Sequence, residues 1–370
     1  MSEVIRNDIF RFTSTKNVPM GFYRLCKEKP VNPQFWLPNL LVTADQPANA
    51  VQSYFESYVV SRQLYESIED GDIGIINNGN MMRVLLSRRA NHNTVLVTER
   101  CNNKCLFCSQ PPKAANDDWL LMQSALAIAA FDFEGVIGVS GGEPLLYGEE
   151  FLSFLDFVAE NAPQTSLHVL TNGRAFSDTR FSKCVKDRTK NIKITFGIPL
   201  YSSHASIHDQ LVGSSGAFND TVAGIINAGN LGVNIELRFI PTKLNIKELP
   251  ELVEFTSRVF SNVNQISIMG LESTGWARKN WERISIDNYK DTQIFNSADR
   301  ISQLSGIPLT FFNYPLCQLP KNLWSFAVQS ISDWKNYYPE ECDECTMKKS
   351  CAGYFSSSKG KFHQTPRPIL

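Results

Sequence analysis

Hydrophobic and polar positions change rhythm twice along this chain. Between residues 94 and 270, short apolar runs alternate with longer stretches whose apolar positions recur at helical spacing. Residues 94–98, 135–140, 166–171, 193–199, 234–240 and 265–270 read as strands. Residues 119–131, 149–161, 177–185, 218–231 and 246–260 read as the helices between them, and another helix spans about 287–304. Six β–α units in series predict an α/β fold with a parallel sheet and right-handed crossovers. That count is short of a closed eight-fold barrel and fits a partial, TIM-like (β/α)6 barrel. In barrels of this kind chemistry sits on the loops after the strands.

Residues 1–92, before this region, have mixed character. Short strands are expected at 9–12, 21–25, 39–43 and 82–86. One amphipathic helix is expected over 48–65, started by Pro47, with Val51, Tyr54, Phe55, Tyr58 and Val59 at helical spacing. Asp70-Gly71-Asp72 and residues 77–80 are turn signals, the second joining a hairpin. A small α+β module over 1–92 is the outcome. From residue 308 the alternation stops, giving a barrel over 93–307 and an extension over 308–370. That extension is aromatic and then cysteine-rich, and its segment 356–370 is expected to be loosely ordered.

Composition narrows the class. The chain has 370 residues, 43% of them hydrophobic, enough for a large core. A net charge of −1 gives no electrostatic case for a nucleic-acid partner. No apolar run approaches the roughly 20 residues of a membrane span. The N-terminus lacks the basic and apolar regions of a secretory signal, so a cytoplasmic location is expected.

The candidate chemistry lies in the cysteines. Seven of nine fall into two groups, Cys101/Cys105/Cys108 and Cys317/Cys342/Cys345/Cys351. In a reducing compartment such grouping points to metal rather than disulfides. The first group has C-x3-C-x2-C spacing directly after a strand. Three thiolates hold three corners of a [4Fe–4S] cluster and leave one iron open for a small molecule. The competing reading is a structural zinc, for which His92 would have to be the fourth ligand. Cys26 and Cys184 read as buried apolar-like thiols. His168 reads as a core histidine, and His204 and His208 as surface or capping residues, a metal pair being the less favoured option.

These residues resemble the radical S-adenosylmethionine (SAM) superfamily, whose signature is C-x3-C-x-Φ-C with Φ aromatic. Phe107 stands at Φ, and Gly141-Gly142-Glu143-Pro144 matches the family's GGEP motif after the second strand. The resemblance implies that SAM chelates the open iron through its amino and carboxylate groups. One electron then splits the sulfonium, and a 5′-deoxyadenosyl radical takes hydrogen from a substrate. It also implies roles for particular side chains. Phe107 packs beside the cluster, Gly141 and Gly142 let the backbone approach SAM, and Glu143 accepts from its amino group. Arg238 is a candidate for the SAM carboxylate, with an ion pair to Glu236 as the alternative. Tyr201 and Ser202 are candidates for the ribose.

A narrower resemblance is to the C-type radical SAM maturases of His-Xaa-Ser systems. It rests on residues 97–113, 198–202, 208–209, 269–272 and 330–335. It implies a ribosomally made precursor peptide or small protein as substrate, a second radical SAM maturase as partner, and a reductase such as flavodoxin or ferredoxin. Cys342-x2-Cys345-x5-Cys351 is similar to the auxiliary-cluster region of SPASM and twitch domains. With Cys317 it would hold one auxiliary iron–sulfur cluster, or a structural zinc. Two other functions stay open: a radical SAM enzyme acting on a nucleoside precursor or tRNA base, and a non-enzymatic zinc scaffold.

Overall fold

The computed structural model describes residues 10–11, 19–28, 36–44, 57–77, 81–114, 116–332 and 335–370. The first part is a mixed sheet of β1 (Phe10–Arg11), β2 (Gly21–Cys26), β3 (Asn39–Thr43), β4 (Ser57–Val59), β5 (Ile73–Asn77) and β6 (Met81–Leu86). Its strand order is β1-β6-β5-β2-β3-β4. β5 and β6 form the expected antiparallel hairpin, whose turn at 78–80 lies outside the described residues. The helix expected over 48–65 is corrected. Residues 48–56 lie outside the described set, and Ser57–Val59 is a strand pairing with β3. Aromatic and β-branched residues such as Tyr58 and Val59 suit a strand as well as a helix face. The helix is the short α1 (Arg62–Ser67), capped where the Ser61 hydroxyl accepts the Leu64 N–H at 3.3 Å.

The barrel follows in the order β7 (Asn93–Leu96), α2 (Trp119–Phe131), β8 (Gly135–Ser140), α3 (Glu149–Asn161), β9 (Thr165–Leu170), α4 (Thr179–Arg188) and β10 (Ile194–Pro199). It continues with α5 (Ala205–Val212), α6 (Ala217–Asn230), β11 (Ile235–Phe239), α7 (Leu249–Val259) and β12 (Val263–Met269). The six expected strands lie side by side in sequence order, all parallel. The alternation does not stop at residue 308. After α8 (Gly275–Lys279), α9 (Trp281–Ile284) and α10 (Thr292–Ser305) come β13 (Leu309–Phe312) and β14 (Ala327–Val328), which extend the sheet to eight strands. β7 and β14 are the two ends of that sheet and do not pair with each other, so the barrel is open along one side.

Alternation along each strand sets the two faces. Val95, Ile137, Val139, Leu167, Val169 and Phe196 are fully or almost fully buried in the outer layer of helices. The lumen face carries Thr94, Gly138, Ser140, His168, Glu236 and Arg238, a polar set unlike a packed eight-fold core. α2 is buried nearly all round, with Ala125, Ala127, Ala129 and Ala130 keeping its bulk small. Phe22 and Leu86 of the first sheet join the same core, and Phe22 meets Trp119 edge-on at 6.3 Å. The N-terminal module is therefore packed onto the barrel through α2.

β15 (Asn336–Tyr337) and β16 (Tyr354–Phe355) pair antiparallel in the extension. Segment 356–370 is more ordered than expected. Ser358 is buried, and the Thr346 N–H donates to the Ile369 carbonyl at 2.9 Å. Among the described residues no helix is long and apolar enough to cross a membrane.

Candidate functional site

The loop after β7 carries Cys101, Cys105 and Cys108, all half-buried. Its conformation is fixed from several sides. The Lys104 and Leu106 N–H groups donate to Val212 and Leu211 carbonyls at the end of α5, at 2.8 and 2.9 Å. Asn280 Nδ2 donates to the Leu106 carbonyl at 2.7 Å, and the Trp276 N–H to the Cys108 carbonyl at 2.8 Å. Arg174 completes the clamp. Its Nη1 donates to Asn103 Oδ1 at 3.0 Å, and its Nη2 pairs with Asp220 at 2.8 Å. Nothing in the sequence singled out Arg174, which follows Gly173 in the loop after β9.

The three thiols share one environment. Burial pushes the Cys101 thiol up to about 11, with Glu143 and Cys108 adding to the rise. Burial likewise raises Cys105, to which the charges of Cys108 and Cys101 add, and Cys108. Protons are hard to remove there, so binding a metal at these thiols would have to displace them. Among the described residues, the ligand atoms of His204, Glu248 and Glu251 form the one such trio that all lie within 4.8 Å of one another. Neither cysteine group is drawn that tightly. Thiolates around a single zinc stand about 3.8 Å apart, given Zn–S bonds of about 2.3 Å. A cluster sets them wider, because each thiolate binds its own iron. His92 does not seal the site. It precedes β7, at the opposite end of a four-residue strand from the cysteine loop, a span of about 13 Å.

The Gly141–Pro144 turn after β8 lies against this loop. The Gly142 N–H donates to the Thr98 carbonyl at 2.9 Å and the Glu143 N–H to the Arg100 carbonyl at 2.8 Å. A Cβ on Gly142 would run into the Arg100 carbonyl and stand 3.0 Å from Cys101 Cβ, so only glycine lets the two backbones meet. Pro144 is buried at the start of a 3₁₀ turn. Glu143 differs from a free acceptor. It is fully buried and takes the Leu145 N–H at 2.9 Å, the Thr171 hydroxyl at 2.6 Å and the Asn172 N–H at 2.5 Å. Its carboxylate ties the β8 loop to the β9 loop.

Phe107 is buried, edge-on to Tyr201 at 4.8 Å. The Tyr201 hydroxyl is raised well above its usual range by burial and by Cys105, while Arg238 opposes the rise. Tyr201 packs on the cysteine loop through Phe107, two residues after Pro199, the strand partner of Arg238. Ser202 is fully buried, and its hydroxyl accepts the His204 N–H at 2.9 Å at the entry to α5. His204 and His208 do not pair as metal ligands. His208 is buried, with Nδ1 accepting the Tyr201 N–H at 3.2 Å, while His204 reaches Glu251 at 3.1 Å. Arg238 makes the ion pair that was its alternative, Nε to Glu236 Oε1 at 3.8 Å.

The second group also converges. Cys317, Cys342, Cys345 and Cys351 line one cavity under Tyr338, Tyr354 and Ile369. Burial and the charges of Cys317, Cys351 and Cys345 push the Cys342 thiol up to about 11. Backbone N–H groups point at the sulfurs: Leu316 and Gly353 at Cys351, 3.3 and 3.4 Å, and Ile369 at Cys345, 3.4 Å. Tyr289 and Tyr354 hydroxyls each stand 3.6 Å from Cys317. Donors aimed at sulfur favour its anionic form, as a ligated thiolate requires.

A cavity of about 980 Å³ opens beside the cysteine loop, along the open side of the barrel. Ser109 and Gln110 of that loop, Thr94 and Ser140 of the lumen, and Arg83 and His92 near the module all border it.

Residues 95–256 match the family model described as the Radical SAM superfamily, so this segment is a radical SAM domain. Such domains work with a [4Fe–4S] cluster and SAM, and the thiols and glycine backbone described above fit that pair. A curated relative, the GTP 3′,8-cyclase of Campylobacter jejuni (strain RM1221), is 29% identical over 49% of this chain and 57% of its own length. The GTP 3′,8-cyclase of Aliarcobacter butzleri is 26% identical over 45% of this chain and 52% of its own. The chain thus spans little more than half the length of these relatives. Among solved structures, Streptococcus suis SuiB bound to SAM aligns with a TM-score of 0.45 at 17% identity, over 59% of this chain and 49% of that one.

Proposed function

We propose that this radical SAM domain belongs to an enzyme that cleaves SAM reductively and uses the resulting radical on a substrate held in the lateral cavity. The observation that carries this reading is the junction of the two backbone turns. Cys101, Cys105 and Cys108 sit on one, Gly141 and Gly142 on the other, and the lumen opens beside both. When bound, the cluster supplies the electron that breaks the sulfonium bond. The chain's own residues do the rest. The three thiolates hold the irons, and Gly142 keeps the backbone close. Phe107 and Tyr201 wall off the far side from water. Arg238, on the lumen face near the end of β11, would hold the SAM carboxylate. Four converging thiols in the extension support an auxiliary iron–sulfur cluster.

For the substrate, the GTP 3′,8-cyclase relatives support a nucleoside precursor. Arg83, Arg89 and Lys335 border the cavity; Arg89 is paired with Glu69 at 2.6 Å and Lys335 with Glu272 at 3.1 Å, which leaves Arg83 as the cation for a phosphate-bearing molecule. A second reading, a peptide, is favoured by the exposed edge of β7. The Val97 N–H donates to Ser140 at 2.9 Å, so by alternation Thr94 turns its backbone groups away from β8 and toward the cavity.

Anaerobically reconstituted protein is expected to show broad visible iron–sulfur absorption and to form 5′-deoxyadenosine when reduced. Equal nucleoside formation by the Cys101/Cys105/Cys108→Ala triple variant would refute the assignment. A new product from GTP supports the first substrate reading. A mass change in a co-expressed His-Xaa-Ser-rich small protein supports the second.

A further inference from the structure

The lumen contains a charged layer that SAM cleavage as outlined does not use. His168 on β9 and Glu236 on β11 approach from either side of β10, Glu236 Oε2 lying 2.5 Å from His168 Nε2. The other oxygen of Glu236 faces Arg238 Nε at 3.8 Å. Gly197, on the strand between them, makes the meeting possible. A Cβ there would stand 2.9 Å from Leu170 Cδ2, 3.0 Å from Arg238 Cδ and 3.1 Å from His168 Nε2. Three side chains thus converge over one missing methyl.

Glu236 is 6% exposed, and a buried carboxylate with one partner removed is costly. Burial alone would raise its proton affinity. The His168 hydrogen bond and the Arg238 charge outweigh burial, so the group is held below the usual carboxylate range, with Ser267 contributing. Arg238 has few competing anchors. Its Nε and Nη2 both donate to Met269 Sδ, a weak acceptor, Nε at 3.0 Å, and Glu236 is its one ion-pair partner among the described residues. Arg238 lies one residue before the end of β11, at the sheet end that carries the cysteine loop, and its partner on β10, Pro199, is two residues before Tyr201, which packs on Phe107.

We propose that Glu236 is a positioning residue for SAM: braced by His168, it fixes Arg238 in the orientation in which its terminal N–H groups, held otherwise only by the weak Met269 sulfur, receive the SAM carboxylate. This rests on the reading of the cysteine loop as the SAM site. His168 has a definite part in it. By engaging one carboxylate oxygen, it leaves Glu236 a single oxygen for the guanidinium, so the fork of N–H groups is not closed by a bidentate pair.

The test is equilibrium binding rather than turnover. Cluster-loaded protein is dialysed against SAM or decarboxylated SAM, which lacks the carboxylate, for wild type, E236Q, R238A and the double variant. Glu236→Gln keeps the shape of the lumen, and an unchanged visible spectrum verifies cluster loading. Wild type is expected to prefer SAM, and both single variants should narrow that preference by about tenfold, the scale of one charged hydrogen bond. The double variant should be no worse than R238A, because both act through one contact. Full preference in E236Q while R238A loses it would overturn the role of Glu236 alone. Full preference in R238A would remove the carboxylate reading, and the proposal with it. No SAM binding by wild type would instead sink the SAM-site assignment.

Discussion

At Arg174 one guanidinium reaches Asn103 in the cysteine loop, Ser214 at 3.0 Å and Asp220 on α6. Removing it frees the loop on one side while leaving every thiol in place. R174A is expected to fold but to lose iron several-fold faster than wild type to an added chelator, followed by decay of visible absorption. His208 makes a different prediction. Burial holds its pKa down at about 4, below the usual 6.5 of a histidine. The folded state therefore refuses a proton that the unfolded state accepts between those values. Its contribution is intact above about pH 6.5 and is lost as pH falls toward 4, by about 3 kcal/mol in total. Urea midpoints measured across that window should fall less steeply with acid for H208Q than for wild type.

At the scale of elements, the six barrel strands and their helices were legible because apolar period and turn residues agree. Trp119–Phe131 and Glu149–Asn161 fall where the pattern put them. Three features were not legible, each for a physical reason. β13 is only four residues long, and its pairing with β12, Leu309 opposite Ile266, is a tertiary fact. α1 is set by the Ser61 cap, which competed with a longer stretch of equally periodic residues. Segment 356–370 looks polar and unstructured, yet its order comes from backbone groups that dock on the cysteine cavity, invisible to composition. The same limits apply to the site. Cysteine spacing located both thiol groups, but Arg174 and the His168–Glu236 contact join residues far apart in the chain. The extension makes its own prediction. Cys342/Cys345→Ala protein, reconstituted beside wild type, should carry roughly half the iron, in keeping with one cluster on each cysteine group. Unchanged iron would mean that the second thiol group holds none.

At the scale of the molecule, three regions of the chain share one cavity. The N-terminal sheet lends Arg83, the barrel lends Thr94 and Ser140, and the extension lends Ser356 and Ser357. The shared core through α2 and the Arg88 bond to the Phe131 carbonyl at 2.5 Å hold the first two together.

The unjoined margins of the sheet, β7 and β14, have a kinetic corollary. If the lateral cavity takes the substrate as proposed, that reactant would enter from the flank and SAM would exchange over the strand tips. With separate doors, neither guest traps the other, so initial-rate patterns should be those of random rather than compulsory order.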